Sequence, residues 1–156
     1  KKQLQARSVK KDYTALVYGR TSQDYDDISF PISRSAQGYK MAALPLTVKG
    51  EKNEDGRLAL TEFSVIKRYI NYSLLAITIK TGRTHQIRVH MSAYGHPLVG
   101  DDLYGTKKTK LKNQKLGLGR IFLHAGHLEF EDGQGQRQSF DSELPAELVN
   151  VLKTVK

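Results

Sequence analysis

Residues 59–69 and 73–80 are two runs rich in β-forming side chains, separated only by a turn at Asn71-Tyr72. So short a connection constrains the chain more than any other feature, because it favours an antiparallel hairpin. A helix is predicted next, over residues 83–94. Ile87 and Met91 are four apart, as are Val89 and Ala93, while Gly95 and Pro97 suit a helix end. Residues 12–18 alternate and read as a strand. Residues 20–57, with their Gly, Pro, Ser and Asp clusters, read as a long connection with extended pieces around 28–32 and 40–42. Residues 105–119 read as a basic, glycine-containing loop. Residues 121–130 read as a strand, with a partner at 136–140 across Asp132-Gly133. Pro145 opens a last helix whose apolar face is predicted from Ala146, Val149 and Leu152. Residues 1–8 read as the tail of a helix. Mostly antiparallel strands with few helices give an α+β class in one domain, 1–156.

Charge points to the kind of partner. Lys and Arg number 25 against 16 acids, a formal net charge of +9, with an isoelectric point near 9.7. That balance favours a polyanion such as nucleic acid. The 156 residues contain no cysteine, which excludes disulfides, cysteine zinc sites and iron–sulfur clusters, and favours an intracellular, cytoplasmic protein. No run reaches the ~18 apolar residues of a membrane span, so no membrane partner is expected. His85 and His90 lie five apart and His124 and His127 three apart, without cysteine, and no metal is predicted.

The junction between the hairpin and the first helix holds the densest chemistry. Two arginines, two histidines and a glutamine fall between Thr81 and His90. A strand-to-helix junction presents free N–H groups and a positive dipole end, and so suits an anion. The same composition also suits a solvated polar helix start, and spacing alone leaves both open.

The wording of this segment is more specific. TGRTHQIRVHMSAYGHPLVGDDLYG, from Thr81 to Gly105, resembles the motif of RluA-type RNA pseudouridine synthases. Val9 to Gly19 is similar to that family's V-x-K-x-Y-x-A-L-V-x-G strand, and Leu60 to Val65 to its A-x-T-x-F/Y-x-V strand. Phe122-Leu123-His124-Ala125 and Leu144-Pro145-Ala146-Glu147-Leu148 resemble its closing strand and terminal helix. The resemblance covers nearly the whole chain, in the family's order. It implies the pseudouridine synthase fold, a mixed, mostly antiparallel sheet, here expected to be incomplete at its N-terminal side. The family's catalytic aspartate belongs to an H-R-L-D-x-x-T-S-G block upstream of the V-x-K-x-Y strand, and neither HRLD nor TSG occurs in this sequence. The expectation is the C-terminal part of a catalytic domain, inactive alone. The nucleophile would lie on a missing N-terminal segment or on another chain.

The resemblance implies an isomerase of uridines in ribosomal or transfer RNA that needs no cofactor, and it carries over specific residues. Arg83 resembles the arginine that pairs with the catalytic aspartate; phosphate binding is its alternative. Tyr13 resembles the active-site tyrosine, with stacking on uracil as its safer role, because a phenol of pKa about 10 is a poor base. Leu123 resembles the apolar residue lining the uracil pocket, or is an ordinary core leucine. His85, Gln86 and Arg88 border the cleft as candidate RNA contacts, and Arg88 could equally brace the fold. Lys107, Lys108 and Lys110, in a stretch without aromatics, suit phosphate contacts or a solvated loop. Asp101-Asp102 reads as a structural turn. The alternative functions are a non-catalytic RNA-binding module and a relic without RNA function.

Overall fold

Ala15, Leu16, Val17 and Tyr18 form an unbroken apolar run, and a strand carrying such a run needs cover on both faces. The computed structural model, which describes residues 9–36 and 38–156, shows how it is covered. The strands are β1 (Lys10–Tyr18), β2 (Tyr25–Ile28), β3 (Ile32–Arg34), β4 (Met41–Ala43), β5 (Thr47–Val48), β6 (Glu51–Lys52), β7 (Thr61–Arg68), β8 (Tyr72–Ile79), β9 (Leu123–Glu131) and β10 (Arg137–Asp141). The helices are α1 (Gln86–Ala93), α2 (Lys107–Leu116) and α3 (Ala146–Thr154). One six-stranded sheet runs β10-β9-β1-β8-β7-β2, and its pairings are all antiparallel. β3 pairs with β4 and β5 with β6 as small separate ribbons.

β1 is central, hydrogen-bonded to β8 on one side and β9 on the other. Its alternation sends Ala15 and Val17 to a cluster with Phe63, Ile77 and, from α1, Ile87 and Met91. Leu16 and Tyr18 face the opposite cluster with Leu74, Phe122 and, from α3, Leu148 and Val151. Each buried Val, Leu, Ile, Met or Phe among these contributes roughly 1.5–3 kcal/mol. The sheet is therefore clamped between α1 and α3, and β1 is held rigidly enough to aim its first residues. Among the described residues no helix is long and apolar enough to cross a membrane.

The predicted hairpin forms as β7 and β8, joined where Tyr69 N donates to Tyr72 O at 2.9 Å. Elsewhere the structure corrects the sequence-based expectations. The long connection contributes β2 to the sheet edge, registered by Tyr25 opposite Ser64. The stretch holding Lys107, Lys108 and Lys110 is a helix, not a loop. Thr106 caps it by accepting from Thr109 N at 3.2 Å, and Gly117, at φ 64°, ends it by donating to Asn113 O at 3.0 Å. Lysine is a good helix former, so no apolar stripe was needed. α3 buries Leu148 and Val151, leaving Ala146 exposed, because helix contact with the Leu16–Phe122 face selects that stripe. The helix tail expected over residues 1–8 lies outside the described residues.

Candidate active site

Tyr13 projects from the middle of the sheet, opposite Ile77 of β8 and Ala125 of β9. The β1–β9 register slips between Asp12 and Tyr13, where Asp12 opposes His127 and Tyr13 opposes Ala125, so Gly126 is the extra residue. Such a bulge twists the strand and re-aims the neighbouring side chain. Tyr13 is half-buried, and burial pushes its phenol up from the usual value, so it stays protonated at neutral pH. Asp12 points away: it accepts from Thr78 Oγ1 at 2.6 Å and pairs with Lys10 at 3.3 Å. Lys11, two residues before Tyr13, reaches the turn after β8. A Cβ on Gly82 would lie 3.3 Å from Lys11 Nζ, so the bare glycine makes room for that ammonium next to Arg83. Burial lowers the Lys11 pKa.

The turn that carries Arg83 is fixed by Gln86. Its Oε1 accepts from Thr81 Oγ1 at 2.7 Å and from Arg83 N at 3.0 Å. Its Nε2 donates to Leu60 O at 2.9 Å and Thr61 Oγ1 at 3.0 Å. Two donors and two acceptor positions are thereby used, in a residue only 2% exposed. All four of these hydrogen bonds direct the Gln86 amide into the fold. This explains why the helix starts at Gln86 rather than at residue 83: the backbone is folded around the inward amide first. His85 takes the left-handed conformation, φ 55° and ψ 23°, which costs a non-glycine residue roughly 1–3 kcal/mol. Tyr104 holds it there, its hydroxyl 2.9 Å from His85 Nδ1. Burial and the Arg88 charge lower the His85 pKa against the opposing pull of Asp101, so near neutral pH it offers a hydrogen bond rather than a charge.

Arg83 donates through Nε to Leu58 O at 3.1 Å, which leaves its two terminal amino groups for a ligand. Among the described residues it forms no ion pair. Arg88 is different. Its Nε and Nη2 grip Asp101 at 2.8 and 2.9 Å, and Asp101 also accepts from the backbone of Leu103 and Tyr104 at 2.9 and 3.0 Å. Arg88 thus braces the turn after α1 while also lining a pocket with Tyr13 and Arg83.

These side chains meet at one open pocket of about 220 Å³. Tyr13, Arg83, His85, Gln86, Arg88 and Leu123 all contribute to its wall, with no Asp or Glu among the described lining residues. An apolar wall from Leu123, a ring at Tyr13 and a planar cation at Arg83 suit a flat heterocycle lying next to an anionic group. Among the described residues no cluster of His, Asp or Glu has the geometry to hold a metal ion. His90 is tied between Thr61 Oγ1 and Phe30 O, both at 2.9 Å.

The sequence profile described as RNA pseudouridylate synthase matches residues 1–93, more than half of the 156. The chain belongs to the RNA pseudouridylate synthase family. A Chloroflexus aurantiacus protein named as an uncharacterized RNA pseudouridine synthase is 39% identical over 156 residues, covering 99% of this chain and 45% of that relative. The Haemophilus influenzae ribosomal large subunit pseudouridine synthase C is 34% identical, covering 99% of this chain and 46% of its own length. Human RNA Pseudouridylate Synthase Domain Containing 1 superposes with a TM-score of 0.77 at 28% identity, over 92% of this chain and 58% of that structure. The chain thus spans about half the length of the curated relatives it matches.

Within this family fold, the structure brings Tyr13, Arg83 and Leu123 to one pocket from three separate segments. Lys107 and Lys108 are exposed on α2, and Lys110 is half-buried. Sequence reasoning gave no role to Lys11 or Tyr104. Lys11 was signalled by its period-two spacing from Tyr13, which places both on one face of β1. Tyr104, whose hydroxyl also receives Met41 N at 2.9 Å, had no local signal, because its partners are distant in sequence.

Proposed function

We propose that this chain is the portion of an RNA pseudouridine synthase that supplies the arginine, the tyrosine and the apolar wall of the active site. The full protein isomerises uridines of ribosomal or transfer RNA in the cytoplasm, without a cofactor. One observation carries this: Tyr13, Arg83 and Leu123 line a single pocket. The reaction breaks the C1′–N1 bond, turns the uracil and rejoins it through C5, whose hydrogen leaves as a proton while N1 takes one up. It needs a carboxylate at the ribose, a cation to keep that carboxylate ionised, and a surface for the extruded base. Arg83 provides the cation, Tyr13 the stacking ring, and Leu123 the apolar wall. The two nearby acids are engaged, Asp12 with Thr78 and Lys10, and Asp101 with Arg88. The family resemblance assigns the carboxylate to an H-R-L-D block, a motif that does not occur in these 156 residues. The name of the Haemophilus influenzae relative supports the large ribosomal subunit RNA as substrate.

The test is tritium release from RNA carrying 5-tritiated uridine. The full-length protein is expected to release tritium, and the 156-residue chain alone to match the blank. Release by the chain alone would show that it needs no external carboxylate. An inactive full-length protein that still binds RNA would favour the non-catalytic binding module.

RNA is gripped through His85 as a neutral hydrogen-bonding group and through Lys107, Lys108 and Lys110 of α2. Gln86 serves it by bracing the turn that carries Arg83, and Arg88 by bracing the turn from Asp101 to Tyr104. Changing the three lysines to alanine in the full-length protein should weaken all RNAs alike. It should also flatten the plot of log affinity against log salt by up to ~2, at ~0.7 per single-strand phosphate contact. An unchanged slope would leave these lysines as a solvated helix face.

A further inference from the structure

A second, larger groove lies on the other side of Arg83, and nothing in the reaction described above uses it. It encloses about 530 Å³, and its wall includes Ser33, Arg34, Gly56, Arg57, Arg83 and Thr84. Three guanidinium groups meet there, and no Asp or Glu stands among the described lining residues. Arg34 and Arg57 are exposed and, in the described structure, pair with no carboxylate. Arg34 gives Nη1 to Gly38 O at 2.8 Å, which fixes its side chain and leaves its other donors open. Three arginines with no acid among the described lining residues give the groove a positive potential that favours an anion.

The groove is also built by backbone. Ile32 and Arg57 exchange a pair of 2.9 Å backbone hydrogen bonds, which clip the segment before β7 onto β3 and set Arg57 beside Arg34. Gly56 permits that clip. It has φ +82°, and a Cβ there would lie 3.2 Å from the Ile32 carbonyl. Gly82 and the exposed Thr84 line the same groove, and the Lys11 ammonium beside Gly82 adds a further positive charge near it. Planar forks around an acid-free groove with a hydroxyl at its rim match a phosphate oxygen set rather than a base edge.

We propose that this groove is an anion subsite that takes a backbone phosphodiester of the RNA next to the uridine held at Tyr13. Arg34 and Arg57 hold the phosphate. Arg83, which lines both pockets, separates the held phosphate from the reacting ribose. The subsite fixes the strand on one side of the extruded nucleotide, so that the base enters the smaller pocket in one orientation. Its assignment to RNA presupposes the function proposed above.

The experiment measures binding of a single-stranded RNA to the full-length protein by anisotropy across a salt series, for wild type and for Arg34→Ala/Arg57→Ala. The double variant should bind about tenfold to a hundredfold more weakly. Its log–log salt slope should be shallower by ~0.7 to ~1.4, one or two phosphate contacts. Arg34→Gln/Arg57→Gln, which keeps a polar side chain without the charge, should show the same loss, whereas Arg34→Lys/Arg57→Lys should recover most of the slope. Affinity and slope within twofold of wild type in the alanine and glutamine variants would overturn the subsite. Calorimetry with inorganic phosphate, without RNA, separates the two sources of phosphate. If the double variants lose phosphate binding yet hold RNA as wild type does, the groove takes a free anion and the RNA assignment is overturned. Tritium release by the same wild-type preparation keeps the two claims apart. An active wild type with unchanged variants refutes the subsite alone, and a wild type that neither reacts with RNA nor binds it refutes both.

Discussion

Arg83→Ala in the full-length protein should slow single-turnover pseudouridine formation by ~10²–10³-fold, as loss of a well-placed electrostatic group does. Arg83 is anchored twice. Its Nε is held on Leu58 O at 3.1 Å, and its backbone N–H on the Gln86 amide at 3.0 Å, so the fork reaches the pocket in one orientation. Arg83→Lys keeps a charge but offers no fork and no Nε contact, and it should remain impaired by at least ~10-fold. RNA affinity should fall far less in both variants, because Arg83 is one cation among several that face the strand. The measurement is single-turnover rate together with the RNA dissociation constant. Equal losses in rate and affinity would make Arg83 a phosphate contact and remove it from the reacting centre.

How legible the site was in the sequence depended on the kind of signal. β1, β7, β8 and β9 declare themselves through alternation and turn residues, which are local. The first turn of α1 could not be placed, because what breaks it is tertiary. Residues 83 to 85 have ordinary helix propensities. The inward amide of Gln86 needs Leu60 and Thr61, some twenty-five positions away, to satisfy it. α2 was invisible to periodicity for another reason. Its buried positions are polar, Thr109 and Asn113, so no apolar stripe exists to count. Asn113 accepts from Tyr18 Oη at 2.7 Å and Gly100 N at 2.8 Å, and donates to Asp102 at 2.8 Å. A side chain with that many partners looks, in sequence, like any surface asparagine. Only Thr106 and Gly117, as caps, could have marked the helix. The meeting of Tyr13, Arg83 and Leu123 was reachable only through resemblance, since each sits on a different segment and none is near another in sequence.

The arginine five residues further on should matter for folding rather than for chemistry. Arg88→Ala is expected to cost about 3–5 kcal/mol of stability, because it leaves a buried carboxylate without its cation. Asp101 is fully buried, and Arg88 meets it with two parallel bonds at 2.8 and 2.9 Å while lying over the Tyr104 ring at 4.9 Å. Burial alone would push the Asp101 carboxyl up. The Arg88 fork and the Tyr104 and Leu103 amides outweigh burial and hold the carboxyl below its ordinary value of 3.8. A depressed carboxylate pKa stabilises the fold above the unfolded-state value, and that stabilisation is lost as pH falls through the folded one. The deficit of Arg88→Ala should therefore be full at neutral pH and shrink as pH falls, first as the variant's orphaned buried carboxyl takes up a proton and then as the wild-type carboxyl does so below its depressed value. In Arg88→Ala/Asp101→Asn the orphaned charge is gone, and part of the loss should return at neutral pH. Denaturant unfolding of the three proteins at neutral and acid pH decides it. A pH-independent deficit, unaltered by Asp101→Asn, would mean that Arg88 acts through packing on Tyr104 and not through the ion pair.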